Sequence, residues 1–217
     1  MKYETEEQQL EAIKDWWKQN ANMIIGGVAI GISAIFGWQY YQDQTIVSQS
    51  NASVIYQQVM NTSQSTDSLN EQQTRVNQLQ ADYANTPYAS LAALLLAKQH
   101  MAAAEFEKAQ QQLEWVASNA TQDEIQYLAK IRLAKLFFSV QQLDQALQVL
   151  NQEFPSAFQA MALELKGDVL LMKGDKPSAQ QAYQQALMVS DSPSRLLMSK
   201  IDEATPAETT SPTAADA

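Results

Sequence analysis

His100 is the one histidine in 217 residues, and cysteine is absent. A lone imidazole can serve as a general base. A zinc cluster, a thiol nucleophile or a disulfide framework needs cysteine or clustered histidine, and none of these can be built here. The acidic residues form no EF-hand loop, and neither G-x-S-x-G nor H-E-x-x-H occurs. Gly26, Gly27, Gly31 and Gly37 lie close together but lack the order G-x-G-x-x-G, and no Lys-Ser/Thr pair follows them. They are no phosphate cradle. His100 falls at a large-residue position of a helical pattern and reads as a packing residue. No catalytic residue, metal ligand or cofactor is expected. The chemistry left to this chain is that of surfaces.

Those glycines sit in the stretch Ala21–Tyr41, ANMIIGGVAIGISAIFGWQYY, and no Asp, Glu, Lys or Arg lies between Lys18 and Asp43. About 20 mostly apolar residues cross a hydrocarbon core of roughly 30 Å. One charge at the centre would cost about 2.5–3.5 kcal/mol. Trp16 and Trp17 precede the run and Trp38, Tyr40 and Tyr41 close it, as interfacial anchors do. A buried helix of a soluble core is the competing reading, and the uncharged length and aromatic ends speak against it. The run exceeds a signal h-region, and its exit, Gly37-Trp38-Gln39-Tyr40-Tyr41, is too bulky for a signal peptidase, so an uncleaved anchor is expected. Lys14 and Lys18 flank its start, and the next basic residue is Arg75. This asymmetry predicts a cytoplasmic N-terminus and a translocated remainder. Gly27 with Gly31 forms a G-x-x-x-G step, and Ser33 with Gly37 a second small pair. Both are expected to pack against another helix in lipid.

Residues 1–20 precede the span. Leu10, Ile13, Trp16 and Trp17 recur at helical spacing, and Glu4, Glu6 and Glu7 crowd the start, where a helix dipole favours anions. An interfacial helix lying on the bilayer and a docking helix for a partner both fit this pattern.

Beyond the span, residues 43–217 hold 11 basic and 19 acidic side chains. So acidic a domain repels phosphate backbones, and nucleic acid is not an expected partner. Hydrophobic residues make up 46% of the whole chain, enough for the soluble part to fold. Gln42–Asn61 reads as a helix leaving the membrane, followed by a polar break to Asn70. Ser68 and Glu71 form a capping box for the next helix, which ends before Pro87. From Leu91 the pattern repeats. Ala97, Ala134 and Gly167 take one place in the first helix of three successive units, and Ala109, Ala146 and Ala179 one place in the second. Each pair is twelve residues apart, and the units recur at 37 and then 33 residues. Such a period predicts stacked helical hairpins that cannot bury their faces singly. The Pro/Thr/Ala-rich tail from Ala204 is expected to be disordered.

The third unit resembles the tetratricopeptide repeat: Gly167, Leu170 and the turn residue Gly174 are followed at repeat spacing by Ala179, Tyr183 and Ala186, with Pro193 near the repeat's terminal proline. The second unit keeps Ala134, Phe137, Ala146 and Leu150 but has Gln141 at the turn. The first keeps Ala97, Ala109 and Leu113 and places His100 at the large position. The expected class is all-α, a single transmembrane helix followed by a tetratricopeptide-like hairpin solenoid. Its expected parts are a cytoplasmic amphipathic segment (1–20), the membrane helix (21–41), a periplasmic domain (42–203) and the tail (204–217).

The start EEQQLEAIKDWW, the glycine-rich span ending Gly37-Trp38-Gln39-Tyr40, and the degenerate repeats together resemble the bacterial YfgM family, the ancillary subunit of the SecYEG translocon. The resemblance covers roughly residues 3–200. It implies a single-span inner-membrane protein with its C-terminal domain in the periplasm and no catalytic residues. It also implies association with SecYEG and with the membrane-anchored periplasmic chaperone PpiD, and a part in handing translocating polypeptides to periplasmic chaperones. A structural scaffold, or a regulator of envelope assembly or stress signalling, is the alternative that the repeats leave open.

Overall fold

The computed structural model describes residues 6–62, 69–190, 192 and 194–205, with only the backbone described for residues 6–8. Glu4, the capping residue Ser68 with most of the polar break, Pro193 and the tail beyond Thr205 lie outside the described residues. All regular structure among the described residues is helical: α1 (Glu6–Thr62), α2 (Leu69–Asp82), α3 (Pro87–Ala102), α4 (Phe106–Asn119), α5 (Asp123–Ser139), α6 (Leu143–Leu150), α7 (Ser156–Met172), α8 (Lys176–Val189) and α9 (Arg195–Ala204). The all-α class read from the sequence is the class found. Two compact units divide between Asn51 and Ala52.

The first unit is most of α1. None of residues 9–51 is buried, and Met23, Ile30 and Phe36 are 75%, 74% and 68% exposed. A core helix of a soluble protein hides such side chains, so exposure argues against the competing reading of this run. α1 is long and apolar enough to cross a membrane. It runs without a break through positions 20/21 and 41/42. Polar side chains that would otherwise compete with the helix fold back on its carbonyls: Asn20 Nδ2 donates to Trp16 O at 2.8 Å, and Thr45 Oγ1 to Tyr41 O at 2.9 Å. Residues 6–20 are therefore continuous with the apolar run in one helix.

The second unit has a core shared by Ala52 and Val59 of α1, α2, the first two hairpins and Ala162, Leu165 and Val169 of α7. Tyr56 and Tyr88 pack with ring centroids 5.7 Å apart. The hairpins α3/α4, α5/α6 and α7/α8 turn identically. Ala104, Gln141 and Gly174 have φ of 58°, 61° and 84°. The next residue's N–H reaches back five residues in each: Glu105 to His100 O, Gln142 to Phe137 O, Asp175 to Leu170 O, at 2.8, 2.8 and 3.0 Å. This is the left-handed helix cap that glycine favours, and a side chain there costs about 1–2 kcal/mol. Gln141, a departure from the repeat in sequence, keeps the turn in space.

A small residue and a large one recur sixteen positions apart in each hairpin. Ala97, Ala134 and Gly167 are matched in register by Leu113, Leu150 and Tyr183, all buried. A methyl group built on Gly167 would overlap the Tyr183 ring. The smallest residue stands opposite the largest.

Two stability changes are expected. Gly167→Ala should destabilise by about 1–3 kcal/mol, as overpacking does. Gln141→Gly and Ala104→Gly should each stabilise by up to about 1 kcal/mol. Denaturant midpoints read both, and an unchanged midpoint for Gly167→Ala would refute the close approach.

Candidate interaction surfaces

Gly27 and Gly31 lie one above the other on α1, and a Cβ at either would meet nothing within 4 Å. The same holds at Gly37. Ser33 Oγ donates to Ala29 O at 2.8 Å, so its hydroxyl is satisfied within the helix, as an apolar surrounding would require. The centre of the Ser33/Gly37 pair lies six residues beyond that of Gly27/Gly31, so the two small pairs face directions roughly 120° apart around the helix. Trp16, Trp17, Trp38, Tyr40 and Tyr41 are all exposed. Trp38 and Tyr41 lie with centroids 6.3 Å apart.

In the second unit a cavity of about 460 Å³ opens among α3, α4 and α5. Leu94 and Met101 of α3, Leu113 of α4 and Leu136 of α5 give it an apolar lining. Lys98, Arg132 and Lys135 also line it. Their side chains are exposed, and none forms an ion pair among the described residues. Sequence reading missed these three. The signal was present, because Lys98 follows Ala97 and Lys135 follows Ala134, one repeat period apart.

The third unit carries Asp168 at that register, after Gly167, and there the position is filled. Lys200 of α9 lies 2.8 Å from Asp168 and 2.8 Å from Glu164. Tyr183 donates to Asp168 at 2.8 Å. Burial opposes the Lys200 charge, but the hydrogen bonds and attraction of Asp168 and Glu164 outweigh it and hold its pKa above the usual 10.5. Burial, reinforced by Asp168, pushes the Tyr183 hydroxyl well above the ordinary tyrosine range. This cluster welds α9 over α7 and α8. Ala179, Tyr183 and Ala186 share a core with Leu197 and Ala204 of α9.

His100 is buried. Its Nδ1 lies 2.7 Å from Glu105 Oε2 and its Nε2 3.1 Å from Gln73 Oε1. Both ring nitrogens are committed to oxygens of the fold, tying α3 to α2 and to the start of α4. Lys108 first, then His100, lowers the Glu105 pKa. His100 therefore does more than pack: it is a polar staple. Among the described residues no three of His, Cys, Asp and Glu come together to hold a metal ion.

The sequence matches the family model of a tetratricopeptide repeat-like domain over residues 14–205. Its relatives include three proteins each named ancillary SecYEG translocon subunit. That of Haemophilus influenzae is 33% identical over 83% of this chain and 88% of its own length. That of Aggregatibacter actinomycetemcomitans is 35% identical over the same shares. That of Escherichia coli is 30% identical over 92% and 97%. No solved structure matches the chain.

The Lys200 cluster has a pH signature. A raised folded pKa stabilises fully below the unfolded value and is lost as pH rises through the folded one, so Lys200 and Tyr183 both predict weakening above their ordinary values of 10.5 and 10.0. Lys200→Met should lose about 1–3 kcal/mol at pH 7, leaving two acids without their cation. Its alkaline decline should be shallower than that of the parent chain in melts from neutral to strongly alkaline pH. Equal declines would show that Lys200 is not held by the two carboxylates.

Proposed function

We propose a tethered-adaptor role for this chain, which belongs to the family of ancillary SecYEG translocon subunits. The helix α1 anchors it in the inner membrane through residues 21–41, with residues 1–20 in the cytoplasm and the hairpin domain in the periplasm. Lys14 and Lys18 before the span, against no basic residue until Arg75, support that orientation. The chain associates with SecYEG and with a PpiD-like membrane-anchored chaperone, and helps pass translocated polypeptides to periplasmic chaperones. It does so by binding alone, without catalysis. Gly27, Gly31, Ser33 and Gly37 are the helix-packing positions in the bilayer, and Trp16, Trp17, Trp38, Tyr40 and Tyr41 set its depth.

One observation bears most of this reading: relatives named for the translocon align with this chain along nearly their whole length, through both the span and the hairpins. The physics agrees with it. Stacked hairpins offer a surface rather than a reaction centre. Tethering raises the effective concentration of that surface at the site where chains emerge.

Affinity purification in mild detergent should recover SecYEG and a PpiD-like chaperone. Gly27→Leu/Gly31→Leu should cut that recovery several-fold while the domain stays folded. A periplasm-dependent reporter fused after Ala217 should be active. Recovery of division or outer-membrane assembly machinery without SecYEG, or a reporter active only in the cytosol, would overturn the reading.

A further inference from the structure

We propose that the first turns of α1 are a docking helix, whose row Leu10–Ile13 enters an apolar groove of a protein at the cytoplasmic face of the membrane, a groove rimmed by lysine or arginine. The inference rests on the adaptor reading, with residues 1–20 in the cytoplasm, and adds a contact on the side of the bilayer away from the hairpins.

Three observations carry it. The first is the row itself. Leu10, Ile13 and Trp17 follow one another at steps of three and four, within about 60° of one another around the helix. All three side chains are exposed. That is the anchor spacing of a helix laid into a groove.

The second is continuity. α1 runs from Glu6 through the apolar run as one helix. Sharp bends in helices come from proline, glycine or an interrupted ladder, and neither proline nor glycine occurs between Glu6 and Ile25. To lie flat on the bilayer, these turns would have to break away near Asn20 and leave backbone groups unbonded. Kept in line with the span, they rise out of it. With Ala21 at the edge of the hydrocarbon, Trp17 stands about 6 Å beyond that edge, Ile13 about 12 Å and Leu10 about 16 Å, against a headgroup layer about 5–7 Å deep. Trp17 is then at headgroup depth. Leu10 and Ile13 are past it, where only a protein can cover them.

The third is charge. Between Lys2 and Lys14 the chain has four glutamates, Glu4, Glu6, Glu7 and Glu11, and no basic residue. The cytoplasmic leaflet is anionic and draws basic segments to itself. By the same field it repels this acidic one, while Lys14 and Lys18, nearer the span, suit the phosphates. A bilayer offers apolar interior only beneath its own negative charge. An acidic helix with an apolar row is instead complementary to an apolar protein groove with a basic rim.

The test uses the full chain in bacterial inner membranes. The photocrosslinker p-benzoylphenylalanine replaces Leu10 or Ile13, with Ala12, about 100–160° away around the helix, as the control position. Irradiation should give the same protein adduct from positions 10 and 13 and little from position 12. Mass spectrometry of the digested adduct should place the partner's crosslinked segment among apolar residues beside lysine or arginine. Glu7→Lys/Glu11→Lys should cut the adduct on the order of tenfold, and Glu7→Gln/Glu11→Gln should cut it less. Both exchanges leave the span untouched, and lysines added before it reinforce its orientation. Phospholipid adducts at positions 10 and 13, equal protein adducts at position 12, an acidic partner segment, the lack of any protein adduct, or indifference to charge reversal would each overturn the proposal. The reporter after Ala217 is read in the same cells. Activity only in the cytosol sinks the adaptor reading, whereas periplasmic activity without a charge-dependent adduct sinks this inference alone.

Discussion

The soluble unit depends on how closely two helices of a hairpin can approach. Small and large residues recur at matched places in the three hairpins, Ala97 with Leu113, Ala134 with Leu150 and Gly167 with Tyr183, and in the third the close approach is direct, Gly167 against the Tyr183 ring. Tyr183 is fully buried, which is possible because position 167 has no Cβ to collide with. Interiors are close-packed, so one partner's gain in volume must be the other's loss. The matched pairs keep the hairpins superposable, and superposable hairpins can stack.

Stacking decides what the surface looks like. A hairpin buries one face only against its neighbours, and a terminal hairpin needs a cap. α9 is that cap on the third unit. It contributes Leu197 and Ala204 to the core and covers the residual polarity with Lys200. The polar bonds are internal to the cluster: Lys200 answers Glu164 and Asp168, and Tyr183 spends its hydroxyl on Asp168. The end of the stack is thereby closed chemically as well as sterically. At the cleft among α3, α4 and α5, Lys98, Arg132 and Lys135 are exposed and form no ion pair among the described residues.

Much of this was legible in the sequence, and the reasons differ from element to element. The apolar run of α1 could be read because insertion free energy is additive along a helix, and no tertiary contact is needed to interpret it. The hairpins could be read because Ala97, Ala134 and Gly167 mark a repeat twice over, in spacing and in size. Gln141 looked like a fault in the pattern, since glycine is the favoured residue for a left-handed cap. The backbone bonds of that cap are made by amides and carbonyls, which every residue has, so the turn survives at the cost of some strain. The bonds of His100 were not legible. Its partners Gln73 and Glu105 come from α2 and from the start of α4, and nothing in the spacing sets that meeting. The Lys200 cluster was hidden for the same reason, being assembled from three helices.

The charges lining the cleft occupy a middle ground, and they show what a repeat adds to sequence reading. Lys98 and Lys135 are ordinary exposed lysines when read singly. Placed on the period that the alanines establish, they become one position sampled twice, and Asp168 becomes its third sample. A periodic fold thus contains its own comparison. The third unit displays the chemistry of that position when satisfied, an acid held by a cation from the next helix. The first two display the inverse charge, and no acid among the described residues forms an ion pair with it.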